Sequence, residues 1–425
     1  MAFYASRHHF GQSLESICAV PFPPAEVGLS GDELRHHVLG VSSWSDDAQE
    51  HLLSIVDVSV PMLHGAPRSR PSSDVLSSLR VPEPLAGLAA VSCGPVPRRP
   101  GARASAVLAG GLSGALYRLT LRYPDATGAD PRSIALRGGE VAGGALVPLG
   151  RLPGGRGCAA VAPLGHGAGA TEALVASTDG ALYVVGGTAP AGAGAGDAPA
   201  SSAEALARAG VRLAARPPAG AAGAAAPLLA PTALNASPSG VALVGDGSGA
   251  VRRVDLASGA SALALAPPGA PLLAPTPATA VALHPALPHL VAAGWADGTL
   301  VVAHAREPAA GGEAAPCARP VAAASLPSAP VALAFAGEDQ NALRVVLEGG
   351  DVLDLDLRSL RAAQGPAAGR DAPVASPPAA VVYSLPGGSL VAAAAGVAGE
   401  GDEGFVATGE ECLVYLAAPK RASEW

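Results

Sequence analysis

The sequence predicts an all-β fold, a β-propeller of about seven blades with low-complexity loop insertions. Three observations lead there. A short unit recurs along the chain: an apolar run, a few small residues, a turn usually built on Gly, then a second alternating apolar run. Glycine and proline, 54 and 41 of the 425 residues, interrupt nearly every alanine run and leave little room for long helices. Hydrophobic residues are 49% of the chain but aromatics only 3%, so the core has to be aliphatic and rich in alanine.

The clearest copies of the unit are Val107–Leu119, Leu174–Val185, Ala242–Val254 and Leu290–Val302; shorter ones are Val345–Leu353 and Phe405–Tyr415, and the first is placed at Val38 to Val58. At their turns stand Gly114, Asp179-Gly180, Gly249, Asp297-Gly298 and Gly350. Glycine reaches positive φ without a Cβ clash, and an Asp or Ser beside it bonds nearby backbone, so these are structural blade-turn residues. Ahead of three copies lies a further short strand, at Ala280–Pro285, Pro330–Phe335 and Ala380–Leu385. A strand plus a hairpin is most of a propeller blade.

One propeller over residues 1–425 is therefore expected, with about seven blades between 37 and 417. An N-terminal strand at about 15–22 would close the last blade by pairing with the strand near Leu413–Leu416, because a closed sheet has no edges to aggregate. Segments rich in Ala, Gly, Pro and Ser near 61–84, 95–104, 123–139, 186–227, 306–320 and 361–378 read as loop insertions. Within the 186–227 insertion, Ser201–Arg216 reads as a short surface helix capped by a serine.

A net charge of −8 with scattered basic residues argues against direct nucleic-acid binding, which needs a dense cationic patch. Cys18, Cys93, Cys158, Cys317 and Cys412 are odd in number and never form a CxxC pair, which fits a reducing compartment and no zinc site. No run of about 18 apolar residues occurs, and Met1–Phe10 has no apolar signal region, so a soluble, non-secreted chain without membrane insertion is expected.

Catalytic chemistry is not legible. His8-His9 and His36-His37 are adjacent pairs whose rings fall on opposite faces of a strand, and they read as solvated histidines. The acidic runs Asp46-Asp47, Glu400–Glu403 and Glu410-Glu411 fall in expected loops, where solvation accounts for them. Gly192–Gly196 lacks the Lys-Ser/Thr of a phosphate loop. The reading is a protein that is not an enzyme, with no cofactor, no metal and no small-molecule substrate.

Several segments resemble a known family. Ser16-Ile17-Cys18-Ala19-Val20-Pro21-Phe22-Pro23-Pro24, then Leu39–Asp47 around Trp44 and Leu52–Asp57, are similar to the opening of the small seven-bladed WD-repeat nucleoporin of the nuclear pore Y complex, its forty-three-kilodalton member. His284-Pro285 followed by His289–Leu300, with Gly294-Trp295-Ala296-Asp297-Gly298 at its centre, resembles a blade of the same family. Phe405–Gly409 and the strand near Leu413–Leu416 resemble its closing blade. No Trp-Asp dipeptide stands at the blade ends, where Val254-Asp255, Ala303-His304 and Leu355-Asp356 take its place.

The resemblance implies a seven-bladed WD40-like β-propeller. It also implies a non-catalytic scaffold subunit of the outer ring, docked through a helical scaffold nucleoporin of the Y-complex short arm. Location at the nuclear envelope, and a role in nucleocytoplasmic transport of protein and mRNA, would follow. A second reading comes from Leu355-Asp356-Leu357-Arg358, which resembles the Asp-x-Arg element of WD-repeat substrate receptors of cullin-type ubiquitin ligases.

Overall fold

The structure, a computed structural model, describes residues 4–9, 12–21, 32–63, 66–67, 72–95, 101–124, 135–137, 146–165, 170–187, 206–207, 210–215, 230–265, 276–305, 318–336, 341–358, 379–384, 390–395, 404–408 and 412–417. Among them the chain is mostly strand and turn, with a 3-10 helix at Pro153–Gly155, and no helix is long and apolar enough to cross a membrane. The framework divides into two compact units. The first comprises Met1–Val175, Val184–Arg212 and Val391–Trp425, the second Ala176–Tyr183 and Leu213–Leu390.

In the first unit β1 (Tyr4–His9) is followed by β2 (Ser13–Ala19), β3 (Asp32–Ser45), β4 (Glu50–Leu63), β5 (Ala66–Pro67) and β6 (Ser72–Val81). These last five form a sheet in the order β2-β3-β4, with β5 and β6 both along the far side of β4. The next sheet has β7 (Leu85–Pro95), β8 (Ala102–Gly111) and β9 (Ala115–Pro124) in sequence, then β10 (Ala135–Arg137) and β11 (Val147–Arg151), both paired to β9. Four more strands, β12 (Cys158–Leu164), β13 (Glu172–Ser177), β14 (Leu182–Gly186) and β15 (Val211–Ala215), stand in chain order; the tip of their central hairpin is counted with the second unit.

The second unit repeats the plan with shorter strands. In it β16 (Pro231–Ala236) to β19 (Ser261–Leu265) pair in chain order, and β20 (Ala278–Leu283) to β23 (Ala318–Ser325) and β24 (Pro330–Ala336) to β27 (Ala379–Ser384) form two four-stranded sheets. Between the ends of these sheets run β17 (Val241–Asp246), β18 (Val251–Asp255), β21 (Leu290–Trp295), β22 (Thr299–Ala305), β25 (Ala342–Leu347) and β26 (Asp351–Asp356). The chain ends in β28 (Leu390–Ala395), β29 (Gly404–Thr408) and β30 (Cys412–Ala417), and β1 joins β30 antiparallel as the fourth strand, with Ser6 opposite Tyr415.

Apolar residues collect between consecutive sheets. Leu53, Ile55, Val107, Leu119 and Leu121 share one cluster in the first unit, while Leu243, Val291, Ala293 and Trp295 share one in the second. The second strand of a sheet is sandwiched on both faces, so β17 is buried along its whole length and shows no period-2 alternation. Small residues let neighbouring sheets approach closely. A Cβ on Gly245 would come within 2.8 Å of the Ala278 Cβ, and one on Gly294 would strike the Pro330 ring. Glycine at these two positions thus serves packing between sheets.

Four expectations are corrected. The strand that completes the last sheet is Tyr4–His9; the segment expected to do so, at about 15–22, instead supplies β2, the first strand of the next sheet. Its buried side chains, Leu14, Ile17 and Cys18, with Val20 just beyond it, suit that inner position. Segments read as insertions hold outer strands: β6 lies within 61–84, β10 within 123–139 and β15 within 186–227, and β23 begins within 306–320. Of the expected helix at Ser201–Arg216, Leu206 and Ala207 are helical, but Val211–Ala215 is the strand β15, which starts after Gly210 turns the chain at φ +79°. Ala380–Leu385 was expected to open the last blade, yet Ala379–Ser384 is the outer strand of the sheet before it. The insertion at 361–378 and the acidic runs Glu400–Glu403 and Glu410-Glu411 lie outside the described residues.

Candidate functional site

The turn residues singled out in the sequence occupy equivalent hairpins. Gly114, Gly180, Gly249, Gly298 and Gly350 each close a turn between the second and third strands of a sheet, with φ of +84°, +83°, +85°, +82° and +99°. The N–H of each donates to the carbonyl three residues earlier, as Gly298 does to Trp295 at 2.9 Å. That geometry is a turn followed by a left-handed residue, the three-residue hairpin in which glycine is favoured. At Gly114 and Gly298 a side chain is also barred by space, because a Cβ would strike the carbonyls of Arg156 and Leu326. Asp297 accepts the Thr299 N–H at 2.9 Å, and Asp179 accepts from Ser177 and from the Ala181 N–H, so both carboxylates brace their own turns.

The first unit holds a concavity among its described residues. It is a cleft of about 740 Å³ bounded by the ends of β4 and β6 on one side and by β9 and β11 on the other. Val81, Ala115, Tyr117 and Leu146 are buried beneath it. Glu50, Arg80 and Arg151 bring charge to its mouth, where Arg80 Nε meets Glu50 Oε2 at 2.9 Å.

Glu83 braces the neighbouring turn and Tyr117. Its carboxylate accepts the Ser113 N–H at 2.6 Å, the Ser113 hydroxyl at 2.7 Å and the Tyr117 hydroxyl at 2.8 Å. Burial acts to raise its pKa, but the three hydrogen bonds, with the nearby Arg151 charge, outweigh it and hold the carboxyl below its ordinary value. Burial, then the hydrogen bond and charge of Glu83, push the Tyr117 hydroxyl up to about 12. Tyr117 therefore stays a neutral hydrogen-bond donor and an apolar floor.

A Ser, a His and an Asp meet on β3 and β4. His36 Nδ1 lies 3.0 Å from Asp57 Oδ2 and 3.0 Å from Ser59 Oγ, and Ser59 donates to Asp57 at 2.8 Å. Serine and carboxylate converge on the same ring nitrogen, whereas activation of a nucleophile needs them on opposite nitrogens. The cluster therefore acts as a cross-strand clamp. His36 and His37, expected to be solvated, are half-buried and buried respectively, because β3 runs through the packed interior of its sheet. This cluster and the Glu83 hub were missed in the sequence, where their members stand 21 to 34 residues apart.

The second unit carries its own polar locks. Arg344, 9% exposed, grips its cross-strand partner Asp354 through two hydrogen bonds of 2.9 Å. Trp295 is fully buried, and its Nε1–H donates to the Gly249 carbonyl at 2.8 Å, tying one sheet to the turn of its neighbour. Arg358 of the Asp-x-Arg element folds back onto Asp356, with contacts of 2.9 to 3.2 Å.

Among the described residues no three His, Cys, Asp or Glu side chains gather as a metal site would need. Burial pushes the thiols of Cys18 and Cys158 up to about 12 and that of Cys93 up to about 11, so all three are protonated at neutral pH and poor nucleophiles.

No family model and no curated protein matches the chain. Among solved structures, the crystal structure of Sqt1 from Chaetomium thermophilum covers 98% of this chain and 100% of its own, with a TM-score of 0.53 and 12% identity. At that identity the likeness concerns the fold alone. With the repeated antiparallel sheets, it shows a β-propeller fold.

Proposed function

We propose that the chain is a seven-bladed propeller serving as a non-catalytic scaffold subunit of the nuclear pore outer-ring Y complex. In this reading it holds a helical scaffold nucleoporin of the short arm and supports nucleocytoplasmic transport. Taking β12–β15 and β16–β19 as separate blades, and the sheet joined by β1 as the last, gives the count of seven.

The observation that carries the reading is the blade β20–β23, whose sequence resembles the nucleoporin and whose resembling residues do structural work. His284 Nδ1 accepts the Ala286 and Leu287 N–H groups, Trp295 locks to Gly249, and Asp297-Gly298 makes the turn. A rigid interior of this kind leaves the loops and outer strands for partners. Its chemistry is that of binding: the carboxylates Asp57, Glu83, Asp179, Asp297 and Asp354 are engaged in turns and clamps.

The test is affinity purification of the tagged chain from cells, together with its localisation. Recovery of Y-complex subunits in stoichiometric amounts and a stain at the nuclear rim are expected. A chain that is absent from the rim and purifies without those subunits overturns the assignment.

A further inference from the structure

The cleft between β6 and β9 is apolar at its floor and cationic where it has hydrogen-bonding capacity to spare. Val81, Ala115, Tyr117 and Leu146 are each 5–7% exposed beneath it. Of the acids nearby, Glu83 is occupied by three donors and Glu50 by Arg80 Nε. The guanidinium groups are less engaged. The Arg80 side chain is 82% exposed and meets Glu50 through Nε, which leaves its outer N–H groups facing solvent. Arg151 is exposed at the cleft and reaches Glu83 through space, without a contact.

We propose that this cleft binds a short acidic peptide segment of a partner protein. A large apolar side chain would seat on Leu146 and Tyr117, and a neighbouring Asp or Glu would be held by Arg151 with Arg80 beside it.

Three considerations select that occupant. A volume of about 740 Å³ suits one large side chain with its flanking backbone. A guanidinium matches a carboxylate with two parallel hydrogen bonds, which a lysine or hydroxyl on the partner cannot reproduce. The net charge of −8 does not forbid an acidic ligand, since charges beyond a screening length of about 8 Å at physiological salt count for little against a direct pair. The proposal rests on the binding-scaffold reading but not on the pore assignment, because it concerns what the isolated chain recognises.

The test uses the full chain immobilised against a phage-displayed library of random heptapeptides, with enriched sequences resynthesised carrying fluorescein and measured by anisotropy. Enrichment of an Asp or Glu within two positions of Leu, Ile, Phe or Met is expected. Arg151→Glu should weaken those peptides at least tenfold, and Arg80→Glu should weaken them less. Both residues are exposed, so circular dichroism should be unchanged. Exchange of the peptide's acid for Lys should restore binding to the Arg151→Glu chain. Enriched peptides without an acid, affinities indifferent to Arg151→Glu, or no enrichment at all would each overturn the proposal. Loss of the pore assignment would leave this measurement untouched, and a failed selection would leave the co-purification result untouched.

Discussion

In the sheet β20–β23 the strands are 6 to 8 residues long, the turn is Asp297-Gly298, and the interior is Ala, Val, Leu and one tryptophan. In the sheet β2–β6 the two middle strands run 14 residues each, Gln49 takes the positive φ of +52° in their turn, and the interior includes His36, Asp57 and Ser59. Both sheets keep the same strand order. One is fastened by close apolar approach and a buried indole, the other by a polar clamp across long strands. The strand order therefore does not dictate the chemistry of the lock, and only the first kind leaves a compact signature in sequence.

The largest effect should come from Trp295→Ala, which removes a fully buried side chain and its hydrogen bond to Gly249. A loss of about 3–5 kcal/mol is expected in denaturant unfolding. Trp295→Phe should lose less, since it keeps most of the packing. If the two substitutions cost the same, packing is not what fastens this sheet.

Gly294→Ala tests close approach itself, because its Cβ would overlap the Pro330 ring. Overpacking of this kind costs about 1–3 kcal/mol, and the same unfolding experiment reads it. A neutral result would mean that the sheets can part without penalty.

Ser59→Ala addresses the polar lock. It strips one donor from the buried Asp57, at a cost of about 1 kcal/mol, measurable as a shift in the denaturation midpoint. A stabilising result would show that the cluster is dispensable to the long-stranded sheet.

The smallest effect concerns pH. The folded-state pKa of Glu83 lies below its ordinary 4.5, so the carboxylate contributes stability that is present above about pH 4.5 and lost as pH falls through the lower folded value. Glu83→Gln should make the fall of Tm between about pH 5 and pH 3 shallower than in the parent chain. An unchanged acid limb would mean that Ser113 and Tyr117 do not favour the ionised form.

What could be read from the sequence follows the same division. The hairpins at Gly114, Gly180, Gly249, Gly298 and Gly350 were visible because a left-handed turn calls for glycine and the strand before each turn is buried along most of its length. Outer strands were hidden. In β6 only Leu79 and Val81 are buried, and a run such as Ser72-Ser73-Asp74 reads as loop because little apolar surface marks it. The closing strand was misplaced for a related reason: Ser13–Ala19 carries the apolar Leu14, Ile17 and Cys18, while Tyr4–His9 is polar and basic. The cleft was invisible because Arg80, Tyr117 and Arg151 come together only when β6, β9 and β11 are placed side by side.

Disulfide trapping shows most directly which N-terminal strand completes the last sheet. Ser6 and Tyr415 are register partners in β1 and β30. With Ser6→Cys and Tyr415→Cys in a Cys412→Ser background, oxidation of the folded chain should join the two ends, as mass spectrometry of the linked peptides would show. Capture of the cysteine at position 415 by one placed at Ser16, with none at position 6, would contradict a propeller closed by Tyr4–His9.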